Sequence, residues 1–320
     1  MKTMQTLLRR EFWENRGAFL TTPIVVGGLF ILATILAMTA TSVFVTKVNG
    51  QEFVLSQFTQ LLADVNPEEL EYEMDSGLLA LVTIFNLVAT FVVFFYLLGS
   101  LYDDRKDRSI LFWRSLPVSD FQTAMSKLLS AVVVVPVLSL SVWLATALIL
   151  MVLASIPFIG SEASALEYLW GPADPLRMYF SMLVASAVQA LWMLPIWGWA
   201  IFCSAFAKSK PFLWATFLPF MIYVLEKWLS FIRYFNFSGD VFGSWLSERL
   251  FAGSVPILVV FDGDFDAMAA TMDAARASGF PVDLGAILGR LATSSMWTGV
   301  AIGAALIAAA IYIRRYRDDT

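Results

Sequence analysis

Asp103, Asp104, Arg105, Lys106, Asp107 and Arg108 form one unbroken charged block, with Arg114, Asp120 and Lys127 close behind. On a helix, Asp104 and Arg108 pair at i,i+4 with the acid first, and Asp103 and Lys106 pair at i,i+3. Mixed charges beside Phe112 and Trp113 make a docking surface for another protein rather than a bond-making site. Bond-making candidates are few. The chain has no histidine, the commonest general base and metal ligand. Its single cysteine, Cys203, lies in an apolar run, which excludes an internal disulfide framework. No glycine is followed by lysine, so the phosphate cradle of a Walker A loop is missing. Asp262, Asp264 and Asp266 match the first three alternate ligand positions of a calcium loop and Asp273 its last, but Ala267 replaces the turn glycine and the final glutamate is lacking. A short amphipathic helix over 264–277 is the better reading. Glu226 and Lys227 read as an interfacial ion pair. Carboxylate or lysine chemistry there keeps open a rival, an integral-membrane enzyme acting on lipid or peptide bonds.

The elements that must position these groups are apolar. Of 320 residues, 59% are hydrophobic and 15% charged, with a net charge of −5, whereas soluble domains carry about 25% charged residues. Six apolar runs, roughly 20–45, 77–101, 129–156, 178–203, 212–230 and 294–313, are long enough to cross a bilayer as helices. The expected fold is an all-α integral membrane protein with six transmembrane helices, one domain over residues 1–320.

With six spans, residues before the first, 102–128, 204–211 and those after the last share one side. Lys2, Arg9, Arg10, Arg16, Arg105, Lys106, Arg108, Arg114, Lys127, Lys208, Lys210, Arg314, Arg315 and Arg317 fall there, two thirds of the 21 basic residues. The positive-inside rule therefore puts both termini in the cytoplasm. The opposite loops are acidic. Residues 64–75 hold six carboxylates and 231–293 several more, a solvated outer face or a docking surface for a cationic ligand. The long 231–293 segment either forms a small domain outside the membrane or dips back into it.

Span interiors carry almost no ionisable residue. Asn86 and Gln189 are polar exceptions suited to hydrogen bonds between helices. Pro136, Pro195 and Pro219 each remove a backbone donor and can kink a span. Gly299 and Gly303, four apart, permit close helix approach, within the chain or to a second copy.

The charged block follows the second span and predicts a short helix to about Trp113. Pro117 stops it, because the residue before a proline is driven from the helical region. Ser119 and Gln122 then form a capping box that starts a second helix, which passes Lys127 into the third span. The first 19 residues suit an amphipathic helix in the interface, with Met4, Leu7, Leu8 and Phe12 on one face and Arg9, Arg10 and Glu14 elsewhere.

The order Asp104–Arg105, Ser109–Ile110, "SLPVS" at 115–119 and Lys127 resembles the signature between spans two and three of ABC-2 type permeases, the membrane subunits of bacterial ABC exporters. "MQTLLRREFWENRGAF" looks like their N-terminal elbow helix. The family often has Glu where this chain has Asp104. The resemblance implies a non-enzymatic transport subunit in the bacterial inner membrane. It implies a separate ATPase that binds ATP and magnesium and docks on a coupling helix in 102–128, and a second permease copy or paralogue. A coupling role would fall on Asp104, Arg105, Arg108, Pro117 and Lys127. The uncharged spans suggest an amphiphilic or hydrophobic cargo, with membrane lipids rather than nucleic acid as surroundings. A non-transporting sensor or scaffold is a further alternative.

Overall fold

The computed structural model describes residues 2–41, 46–48, 51–53, 67–107, 118–159, 164–231, 241–254, 276 and 279–316. Arg108, Phe112, Trp113, Pro117 and the aspartates of 262–273 lie outside them. Eleven α-helices carry the described fold: α1 Lys2–Glu14, α2 Thr22–Thr41, α3 Pro67–Lys106, α4 Asp120–Leu129, α5 Val135–Ala154, α6 Pro175–Trp192, α7 Leu194–Phe206, α8 Pro211–Phe231, α9 Val241–Ser254, α10 Leu284–Gly289 and α11 Ser294–Tyr316. A hairpin of β1 (Thr46–Val48) and β2 (Gln51–Phe53), with Val48 opposite Gln51, is an unanticipated addition.

Five helical stretches are long and apolar enough to cross a membrane: Gly17–Thr39, Glu69–Lys106, Asp120–Phe158, Pro211–Leu229 and Ser294–Tyr316. A bent pair, Leu166–Trp192 with Leu194–Phe206, makes a sixth. All six coincide with the apolar runs of the sequence, but the ends differ. α1 ends at Glu14, short of the 19 residues expected of the first helix. A π-helical turn over Gly17–Thr21 leads into α2, and Phe19 is buried there with its ring edge-on to Tyr96 at 4.9 Å. α3 runs unbroken for 40 residues, about 60 Å at 1.5 Å per residue. Asp103 to Lys106 are thus its last turn, not the start of a separate coupling helix.

Two of the three prolines reshape their spans. Pro136 cannot donate to the carbonyl four residues back, and its ring crowds that carbonyl. The turn before it, Ser130–Val134, widens to a π-helix that joins α4 to α5. Pro195 likewise leaves the end of α6 without a continuing ladder, and the chain bends by 58° at Met193. α8 passes through Pro219 without a break.

α7 and α11 make the closest pairing in the bundle, and small residues permit it. A Cβ on Gly198 would lie 2.7 Å from the Gly303 carbonyl oxygen, and one on Gly303 would lie 2.6 Å from the Leu194 carbonyl. The Gly299–Gly303 pair therefore packs within the chain: Gly303 against the bend, Gly299 beneath the Arg249 guanidinium. Overpacking a fitted contact costs about 1–3 kcal/mol. Gly198→Ala and Gly303→Ala should each lower the thermal midpoint in detergent, whereas Gly28→Ala, with no atom within 4 Å of the added carbon, should not. Equal melting of all three would contradict the close approach.

Candidate functional site: a buried ion cluster

Ser119 and Gln122 form the expected capping box. The Ser119 hydroxyl accepts from the Gln122 amide at 3.2 Å, and the Gln122 side chain accepts from the Ser119 amide at 3.1 Å. With Asp120 in its first turn, α4 is thereby fixed at its start, and it delivers Lys127 into the bundle two turns later. Lys127 is buried, and its ammonium meets Asp104 of α3 at 3.4 Å and Glu11 of α1 at 3.3 Å.

Glu11 is the centre of the site. Its side chain is 1% exposed, and three donors surround the carboxylate: Lys127, the Tyr96 hydroxyl at 2.7 Å and the Arg10 guanidinium at 2.7 Å. Asp104 is shared in turn. Its second oxygen accepts from Arg314 at 3.2 Å, and Arg314 also holds Asp120 at 3.0 Å. Three acids and three bases from α1, α3, α4 and α11 thus compensate one another. The N-terminal helix and the end of the last span therefore meet at one end of the bundle. Beside them a polar cleft of about 460 Å³ opens, with Glu14, Asn15, Asp103 and Asp107 in its lining.

Of the residues singled out in sequence, Asp104 and Lys127 come together here. Arg105 does not face outward. Its guanidinium donates to the carbonyls of Ser204 and Ala207, the latter at 2.9 Å, at the C-terminal end of α7. There it complements the negative end of that helix, while the Ser204 hydroxyl accepts from the Leu101 and Tyr102 amides. Arg105 is a structural tie between α3 and α7.

Glu11, Tyr96, Asp120 and Arg314 escaped sequence reasoning as members. The signal for Glu11 was present: it stands four residues after Leu7 on α1, so the acid shares the apolar stripe, and both are buried. Arg314 looked like one more positive-inside residue.

The polar exceptions in the spans have different roles. Gln189 donates to the Gly253 carbonyl at 2.8 Å and thereby links α6 to α9. Asn86 donates back to Val82 of its own helix at 3.1 Å. α9, from the 231–293 segment, packs into the bundle. Its Arg249 is fully buried, donates to the freed Trp192 carbonyl at 2.9 Å and to Ser295, and lies 3.8 Å above the Trp192 ring. Glu226 caps α9, accepting from the Phe242 and Gly243 amides at 2.8 and 2.9 Å. Lys227 lies over the Tyr223 ring at 5.5 Å.

Removing one partner of a buried ion pair costs about 3–5 kcal/mol, because the other charge stays buried. Lys127→Met should destabilise strongly in thermal unfolding. Adding Glu11→Gln should recover about 1 kcal/mol or more of that loss. Additive losses in the double variant would show that the two charges are not coupled.

No protein-family model, no curated protein and no solved structure matches this chain.

Proposed function

We propose that this chain is the membrane subunit of an ATP-driven transporter of the ABC-2 type, in a bacterial cytoplasmic membrane with both termini inside. One observation carries the reading. The buried ion cluster ties the N-terminal helix, both flanks of the 108–117 segment and the end of the last span into one unit. A force applied to that segment reaches α3 through Asp104 and α4 through Lys127, and is shared at once with α1 and α11. That is the construction a passive membrane subunit needs if a separate ATPase, holding ATP and magnesium, pushes from the cytoplasm. The resemblance of residues 102–128 to the family signature supports the same assignment.

In this reading Asp104 and Lys127 are positioning residues that relay motion, Arg105 keeps α3 against α7, and Arg108 and Pro117 belong to the docking segment. The pathway forms with a second copy or paralogue, and the apolar spans suit an amphiphilic cargo.

The side chains of Asp107 and Phe121 flank the segment and are exposed, Phe121 by 58%. Affinity purification from native membranes should recover a protein with a Walker A sequence. Its yield should fall by about tenfold or more with Asp107→Lys plus Phe121→Ala, a loss of order 1.4 kcal/mol, while the variant elutes and melts like the parent. Vesicles holding the chain alone should show no ATP-dependent transport of a fluorescent amphiphile, and adding the recovered ATPase should restore it. Transport at full rate by the chain alone would end the proposal.

A further inference from the structure

α8 is the least supported of the candidate spans: 6% of its apolar window is buried inside the protein, against 17–33% in the other four single-helix spans. On one side it bounds a groove of about 650 Å³. Ile222, Leu225 and Leu229 of α8 form one wall, Ile302 of α11 stands opposite, and Phe242 and Trp245 of α9 close the end. Trp245 is held from behind by Arg249, whose guanidinium carbon lies 5.6 Å from the ring centre. The groove is thus a built feature, fixed by a buried side chain and by the Glu226 cap on α9.

We propose that this groove holds one acyl chain of a bilayer phospholipid. Two of its walls belong to helices long and apolar enough to span the membrane, and with both in a bilayer a groove between them meets lipid tails. Its one described charged group, Glu226, has both oxygens on backbone amides of α9. The lining therefore makes no polar demand, which suits hydrocarbon and disfavours a headgroup. The volume lies within the roughly 300–1,000 Å³ of small-molecule sites. A second copy of the chain is the poorer occupant: a stable protein interface takes about 20–30 residues a side, and this recess offers a handful. An ordered chain would give α8 the close contacts that the protein itself does not provide.

This inference needs only that α8 and α11 cross the membrane, and it does not rest on ATP-driven transport. The full-length protein is placed in nanodiscs of phosphatidylcholine carrying a photoactivatable diazirine in one acyl chain, illuminated, and mapped by peptide mass spectrometry. Leu225, Trp245 and Ile302 should label about fivefold or more above Leu29, Leu32 and Leu36, which are similarly exposed positions on α2 at 52–60%. Ile302→Trp and, separately, Leu225→Trp fill the groove from opposite walls and should each abolish that excess while labelling on α2 stays unchanged. Both residues are exposed, at 44% and 52%, so either variant tests occupancy in a folded protein. Equal labelling of the groove and α2, or an excess that survives both variants, would overturn the proposal. So would an unlabelled groove in which Leu225→Cys forms disulfides between copies.

Discussion

Burying the carboxylate of Glu11 obliges four helices to meet. An ion taken from water costs several kcal/mol unless close partners of opposite charge answer it, and from α1 itself Arg10 is the base that meets Glu11. Lys127 must come from α4 and the Tyr96 hydroxyl from α3. Lys127 brings Asp104, and Asp104 brings Arg314 from the last span. Each added group answers the charge left by the one before, and the series closes at Asp120, in the first turn of the helix that supplied Lys127. Chain ends hundreds of residues apart in sequence are joined by this one requirement.

The same rule governs the opposite half of the bundle. At the break before Pro195 the Ile196 amide turns to the Met193 carbonyl at 2.9 Å, so the Trp192 carbonyl loses its helical partner, and hydrocarbon supplies none. Arg249 reaches in from α9 to fill the gap and stacks on the Trp192 ring as it does so. The bend permits α7 to lie flat on α11, because Gly198 and Gly303 keep both backbones bare at the crossing. A proline, an arginine and three glycines from three helices, α7, α9 and α11, therefore form one joint.

Those two assemblies were unequally legible in the sequence. Span number and placement came from hydropathy alone, since twenty apolar residues in a row have few other uses. The capping box at Ser119 was equally plain, because its geometry is local and both partners lie within one turn. Asp104 and Lys127 could be named but not joined, since their separation in space depends on how α3 and α4 pack. Glu11 was assigned to neither face of the first helix, although its spacing from Leu7 points inward. Arg105 was read as a docking charge, because nothing local reveals that the end of α7 lies beside it. The role of Arg249 depends on a carbonyl freed in another helix, and no pattern in residues 241–254 announces that.

The uninterrupted length of α3 has a mechanical consequence. A helix of 40 residues with no internal break behaves as a stiff beam about 60 Å long. At its far end Asp75 is buried and accepts from the Asp174 amide at 3.0 Å, a pivot lying most of the beam's length from Asp104. Rotation of the beam by about 5° about that pivot would swing its charged tip through roughly 4 Å. Such a stroke exceeds every ion-pair distance in the cluster, so α3 cannot tilt that far without parting Asp104 from Lys127 and Arg314.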